Sequence, residues 1–258
     1  MNWGQGVILA VVEGVTEFLP VSSTGHMILV GQLLGVAQTG FVKSFEIAIQ
    51  LGAIGAIVAL YWRKLLQQSR VATRVAMAFL PTGIIGVLAY KLVKQYLLGN
   101  AWVTVGALFL GGVVLLIWEG DRLKKQKSNS KFEIQNLSYG RCVLIGLGQA
   151  VAMIPGVSRA LATILSGEIA GLGRKEAVEF SFLLAVPTMM AATGWDLVKS
   201  GGSFGRGEWE MLGLGFGAAF TAARVTVKWL VSYVKNNNLA GFGWYRIGLA
   251  VGWWLLFA

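Results

Sequence analysis

The chain has 258 residues, of which 55% are hydrophobic and 13% charged, with a net charge of +10 and a mean hydropathy of +0.65. An ordinary soluble domain carries about 25% charged residues, so this composition excludes a water-soluble globule and indicates a polytopic membrane protein. The Lys and Arg gather in short segments between apolar runs, as in cytoplasmic loops of membrane proteins, and nucleic acid is not expected as a partner.

The first apolar stretch, 3–36, has no basic segment before it and is interrupted by Glu13 and Glu17, so a cleaved signal peptide is not expected. It is broken by "PVSSTG", which leaves it too long for one crossing and too interrupted for two. Two short helices that enter the bilayer, turn at the break and leave on the same side fit this pattern, provided the turn is buried in protein or lines a cavity. Apolar runs at 44–62, 75–90 and 101–118 then approach the ~20 residues needed to cross hydrocarbon. Between them, 63–74 carries Arg63, Lys64, Arg70 and Arg74 with no acid. The next loop, 119–133, carries Arg122, Lys124, Lys125, Lys127 and Lys131 against Glu119, Asp121 and Glu133. The positive-inside rule puts both loops in the cytoplasm.

A second interrupted stretch, 140–172, is broken by "PGVSR" and reads as a second hairpin. Its Cys142 is the only cysteine and reads as a small packing residue. Runs at 180–195, 211–231 and 244–258 complete six crossings, and Trp62, Trp102, Trp118, Trp195 and Trp244 fall at run ends, where indoles prefer the headgroup region. The expected fold is therefore all-α: six transmembrane helices plus two re-entrant helical hairpins in one integral membrane domain, 1–258. The first hairpin should open outward and the second inward. Each half, about 1–133 and 134–258, is then a hairpin plus three crossings, and an odd number inverts the second half. With Ser22 set against Ser158, Glu13 falls opposite Gln149 and Ser23 opposite Arg159, while "FEIAIQLGA" and "EFSFLLAVP" each open the following span.

The breaks concentrate the polar chemistry. An ionisable group at bilayer depth costs several kcal/mol (roughly 2.5 or more) and normally faces a polar cavity with a partner. Glu13 and Glu17 lie four apart, on one helix face, and two such anions call for a cation, a proton or a phosphate-bound metal between them. Hard divalent ions such as Mg²⁺ or Ca²⁺ suit carboxylate oxygens; a structural pair that orders the loop is the other reading. Ser22, Ser23 and Thr24 stand at a helix start, where unpaired amides attract anions. His26, the only histidine, follows by one turn and can activate a hydroxyl or water, or protonate a leaving oxygen. In the second break, Gly156 lets backbone approach a ligand and Ser158 opens a helix. Arg159 offers a planar fork suited to phosphate oxygens, or a salt bridge to Glu13 or Glu17. Glu46 and Glu179 near span starts are assigned either to support of the site or to the membrane interface.

"EGVTEFLPVSSTGH" together with "PGVSRALAT" resembles the paired signatures of the undecaprenyl-diphosphate phosphatase family, known also for bacitracin resistance, and the likeness runs over nearly the whole chain. The resemblance implies hydrolysis of undecaprenyl diphosphate to the monophosphate and phosphate with a divalent cation, recycling the lipid carrier of cell-wall precursors in the bacterial cytoplasmic membrane. Carried over by position, Glu13 and Glu17 match the acidic motif, Ser22, Ser23 and His26 the serine-rich catalytic loop, and Ser158, Arg159 and Thr163 the second signature. Ala160 departs from it, since the family commonly has Ser there, and is left out of the site. The expected catalytic set is Glu13, Glu17, Ser23, His26 and Arg159, with Ser22, Thr24, Gly156, Ser158 and Thr163 binding a polyprenyl diphosphate. Glu13 and Glu17 are also the expected metal ligands. The bilayer is the other expected partner, a homodimer is allowed, and the site should face the extracytoplasmic side. The competing class is a lipid-phosphate transporter or flippase, since broken helices in inverted repeats also build transport sites.

Overall fold

The computed structural model describes residues 1–37, 39–97, 101–124, 132–200 and 204–257. Among them the chain is all-helical, without strands: α1 (Trp3–Thr16), α2 (Ser23–Leu33), α3 (Gly40–Gln67), α4 (Ser69–Leu92), α5 (Ala101–Lys124), α6 (Tyr139–Ala150), α7 (Arg159–Ile169), α8 (Arg174–Ser200), α9 (Arg206–Asn236) and α10 (Ala240–Phe257). Four stretches are long and apolar enough to cross a membrane: Gly40–Gln67, Ser69–Ala89, Ala101–Arg122 and Arg174–Gly194. They coincide with four of the six expected crossings and make this a multi-pass membrane protein. The other two expected runs fall on α9, of 31 residues, and α10, of 18. Lys125, Lys127 and Lys131 of the second basic loop lie outside the described residues.

Both interrupted stretches are hairpins. At 14 residues, α1 is about 21 Å long and α6, at 12, about 18 Å, short of the ~30 Å hydrocarbon core. The open end of the first hairpin is tied by Gln5 Nε2, which donates to the Leu34 carbonyl at 3.0 Å; that of the second by the Phe132–Leu172 bridge. The two share a backbone. Ser22 has φ 73° and ψ 96° and Ser158 φ 72° and ψ 113°, the only non-glycine residues at positive φ among those described, and each caps the helix it opens. Gly35 follows Ser22 by the same interval as Gly171 follows Ser158. Both stand at positive φ and end their helices with the same pattern of amide–carbonyl bonds.

Each hairpin docks against the other half of the chain. A Cβ on Gly14 of α1 would lie 2.5 Å from the Ala219 carbonyl of α9, and one on Gly146 of α6 would lie 2.0 Å from the Ala78 carbonyl of α4, so these helices touch backbone to backbone. That is how helices associate where lipid is as apolar as the side chains. All of 17–22 is buried, and Phe18, Leu19 and Val21 join one core with residues of α3, α7, α8 and α9.

The basic ends meet as well. Arg74 donates to the Leu137 carbonyl, Lys64 pairs with Glu179, Arg122 with Glu168, and Arg174 with Glu119 and Glu168. Glu179 therefore serves this end rather than the breaks. Trp62, Trp102 and Trp244 are exposed, as interfacial indoles should be, whereas Trp118 turns in to donate to Glu168 at 2.7 Å. The side chain of Trp195 lies outside the described residues.

Candidate active site

The two breaks face each other across a cavity of about 260 Å³ lined by Glu17, Ser22, Ser23, Thr24 and Gln50 on one side and by Pro155, Gly156, Ser158, Arg159 and Thr193 on the other. The first turns of α2 and α7 border it. Their leading amides have no intrahelical acceptor, so two partial positive charges and a guanidinium address one space. Gly156 stands at φ 95°, and a Cβ there would fall 2.3 Å from the Thr104 carbonyl, so glycine alone lets the second break seat against α5.

Glu17 joins the two halves of the site. Its Oε2 accepts from Ser23 Oγ at 2.5 Å and its Oε1 accepts from Arg159 Nη2 at 2.8 Å. Arg159 also donates Nη1 to the Ser181 carbonyl at 3.0 Å and stacks on Phe18, with its charge 5.5 Å from the ring centroid. Its Nε is buried without a hydrogen-bond partner. Of the two readings that the sequence left for Arg159, the ion pair to Glu17 is present, and it lies on the cavity wall.

The other expected residues stand further back. Glu13 is buried, with one carboxylate oxygen lacking a hydrogen-bond partner, and Glu17, Glu46 and Arg159 lie within electrostatic reach of it. Thr163 Oγ1 donates to Ser181 Oγ at 2.6 Å, which steadies the segment that holds Arg159, and it does not line the cavity. His26 is also outside the lining: Nδ1 faces the Ser22 carbonyl at 2.8 Å and Nε2 the Tyr245 hydroxyl at 2.7 Å, with the two rings stacked. The carbonyl has only acceptor capacity, so Nδ1 carries a proton, and in the neutral ring Tyr245 donates to Nε2. At Gln149, the counterpart of Glu13, Nε2 donates to Thr82 Oγ1 and Thr188 Oγ1, so that break has an amide where the first has a carboxylate.

A family model described as bacitracin resistance protein BacA matches residues 6–252. The chain belongs to this family. The undecaprenyl-diphosphatase of Aquifex aeolicus (strain VF5) is 48% identical over 259 residues, covering 100% of both chains. That of Thermus thermophilus is 47% identical over 249 residues, 95% of this chain and 94% of the relative. The enzyme of the same name from Campylobacter jejuni is 42% identical over 255 residues, 98% of this chain and 94% of the relative.

Sequence reasoning passed over two residues of this BacA-family chain. Gln50 follows Glu46 by one turn in "FEIAIQLGA", a spacing that puts both on one face of α3. Arg246, a lone charge inside the run 244–258, is fully buried, and such a residue marks a demand for partners. Its guanidinium donates to the carbonyls of Pro20 (3.1 Å), Gly156 (2.9 Å), Ala107 (3.1 Å) and Leu108 (3.3 Å), tying both breaks to α5. A Cβ on Gly111 would lie 2.1 Å from Arg246 Nη2, so the glycine leaves the space that the guanidinium fills.

Each buried carbonyl left without a donor costs about 1–3 kcal/mol, and an ammonium cannot reproduce the planar fork. Arg246→Lys and Arg246→Met should both lower the thermal unfolding midpoint of detergent-purified protein, Met more than Lys. An unchanged midpoint in Arg246→Met would show that the breaks hold together without it.

Proposed function

We propose that this protein is a multi-pass phosphatase that hydrolyses undecaprenyl diphosphate to undecaprenyl phosphate and phosphate in the bacterial cytoplasmic membrane, returning the lipid carrier to cell-wall synthesis. The observation that carries the reading is the chain Ser23–Glu17–Arg159: a nucleophile in hydrogen-bond contact with a base that a third group orients. Ser23 Oγ attacks the terminal phosphorus as its proton passes to Glu17. The bond from that phosphorus to the bridging oxygen breaks, undecaprenyl phosphate leaves, and water then splits the phosphoserine ester to release phosphate. Arg159, Ser22, Thr24, Ser158 and the helix-start amides bind the phosphate oxygens, and Gly156 gives them access to backbone. His26 acts from behind, holding the Ser22 carbonyl and hence the turn that aims Ser23, and Thr163 does the same for Arg159.

Among the described residues no cluster of three or more His, Cys, Asp or Glu is arranged to hold a metal. A cage made by protein alone is therefore not the fit. Mg²⁺ is often held by one or two carboxylates together with substrate phosphates, and Glu13, with its unpartnered oxygen, and Glu17 match that mode. A divalent cation bound there would neutralise the charge of the diphosphate. Transport of an intact lipid phosphate needs no nucleophile beside a base, and nothing observed favours it.

For the topology we infer six crossings, α3, α4, α5, α8, α9 and α10, with both hairpins re-entrant and the two halves inverted. The matching backbones at Ser22 and Ser158 and the reciprocal docking of α1 on α9 and α6 on α4 support this. The ion-paired end with Lys64, Arg74, Arg122 and Arg174 is assigned to the cytoplasm. The first hairpin then opens outward and the diphosphate is cleaved from the extracytoplasmic face.

Purified protein should release phosphate from undecaprenyl diphosphate, and a chelator should suppress the release. Absence of turnover with any divalent cation would overturn the reading. Ser23→Ala should lower kcat by about 10²–10⁴-fold or more, and Arg159→Lys, which keeps the charge without the fork, should also lose most activity; parental rates in Arg159→Lys would leave it a counter-ion. If Glu13 and Glu17 hold the cation, Glu13→Gln should shift the divalent-cation titration to higher concentration, and an unmoved curve would leave Glu13 a structural role. For orientation, single cysteines placed by Gln68→Cys and Gly207→Cys in a Cys142→Ala background can be treated in intact cells with an impermeant thiol reagent. Gly207→Cys should react and Gln68→Cys should not, and the reverse pattern would turn the protein over.

A further inference from the structure

Beside the polar cavity lies a second, larger space of about 560 Å³ between α5 and the second hairpin. Trp102, Gly106, Leu110 and Val114 form one wall, and Val151, Ile154, Leu161, Ala162 and Leu165 the other. The single hydroxyl in the lining, that of Ser166, already donates to the Ala162 carbonyl at 2.6 Å, so the groove offers a ligand no polar group in want of a partner. Its volume is that of a small-molecule site. We infer that this groove holds the first part of the prenyl chain of the diphosphate substrate, and that Gly106 and Ala162 set its width; the inference rests on the phosphatase reading for the identity of the occupant.

Three observations choose this occupant over an unspecific patch of bilayer. Ile154 lines both spaces, so a chain attached to a diphosphate in the cavity reaches the groove by passing over one side chain. Gly156, which lines the polar cavity, seats against Thr104 and Ala107 of α5, where the groove begins, so headgroup and tail sites meet at one backbone contact. Finally, the side chain that borders the groove differs between the two breaks. Ala162 follows Ser158 as His26 follows Ser22, and where Ala162 leaves room, His26 fills the corresponding place and stacks on Tyr245 at 5.5 Å between ring centroids. Two breaks with the same backbone thus carry different side chains at the position that borders this groove.

Since lipid tails are as apolar as the groove, its contribution lies in shape more than in hydrophobic drive. A narrowing of the groove should therefore appear as lost affinity for long chains. Gly106 is exposed and lines the groove, and a Cβ there meets nothing within 4 Å, so a side chain at that position starts into open space; Gly217 on α9 has the same freedom away from the groove and serves as control. In detergent, Gly106→Phe should raise KM for undecaprenyl diphosphate by about tenfold or more, the scale of selectivity shown by apolar pockets. The kcat should hold, farnesyl diphosphate should lose less, and Gly217→Phe should behave as the parent. An unchanged KM in Gly106→Phe would mean that bilayer chains, not substrate, occupy the groove. An equal loss of kcat on both substrates would mean that the change acts through the break rather than the tail, and would also overturn the proposal.

A binding measurement separates this proposal from the phosphatase reading. In the Cys142→Ala background, alkylation of Gly106→Cys should be slowed by undecaprenyl phosphate and not by inorganic phosphate or added phospholipid. Such protection in a protein that hydrolyses nothing would keep the groove and discard the reaction; turnover without protection would do the opposite.

Discussion

The arrangement depends on satisfying backbone where two helices stop inside the bundle. A broken helix leaves amides and carbonyls unpaired, and lipid offers them nothing. Here the remedy is one buried guanidinium. Arg246 donates to Pro20 in the first break, to Gly156 in the second and to two carbonyls of α5. Ser158 adds a longer contact, 3.4 Å from its Oγ to the Leu19 carbonyl, across the two breaks. Once the breaks are held together, the starts of α2 and α7 must share a cavity, and the site follows from that proximity.

The two breaks have equal backbones and unequal side chains, and the inequality is the chemistry. Ser22 and Ser158 have the same strained turn, a conformation that persists only where its surroundings over-determine it. On this common frame the first break carries Glu13, Ser23 and His26, and the second carries Gln149, Arg159 and Ala162 at the matching positions. Carboxylate and hydroxyl thus come from one hairpin, and the guanidinium that pairs with the carboxylate from the other. Neither hairpin alone would have a site. A symmetric pair would bring two carboxylates and no guanidinium, or the reverse, to the same space.

A second polar network, around Glu119, Glu168, Arg122 and Arg174, lies at the basic end of the bundle. It fastens the open end of the second hairpin to α5 and to the start of α8, much as Gln5 fastens the first hairpin at Leu34. Each hairpin is thus fixed at its mouth as well as at its tip. The position of Ser23 relative to Arg159 consequently depends on contacts far from the cavity, through helices too short to stand by themselves.

The sequence by itself determined the membrane setting, the two broken stretches, the basic ends and the residue types of the site, because each is a local property. Hydropathy runs, a Pro or Gly within a run, and a charge within a run have direct physical meanings without knowledge of neighbours. It also showed Glu17, Ser23 and Arg159 as candidates, and offered Arg159 a choice between phosphate and a carboxylate. What tertiary structure decided is which of these groups meet. Glu17 rather than Glu13 bridges Ser23 and Arg159, His26 turns toward Tyr245 and away from the cavity, and Thr163 braces Ser181. The partners lie as many as 142 and 219 positions apart for Arg159–Glu17 and His26–Tyr245, so no spacing rule could pair them. Arg246 is the clearest case: a charge in an apolar run declares that it needs partners, but those partners are backbone carbonyls on three separate segments, and a carbonyl leaves no mark in a sequence.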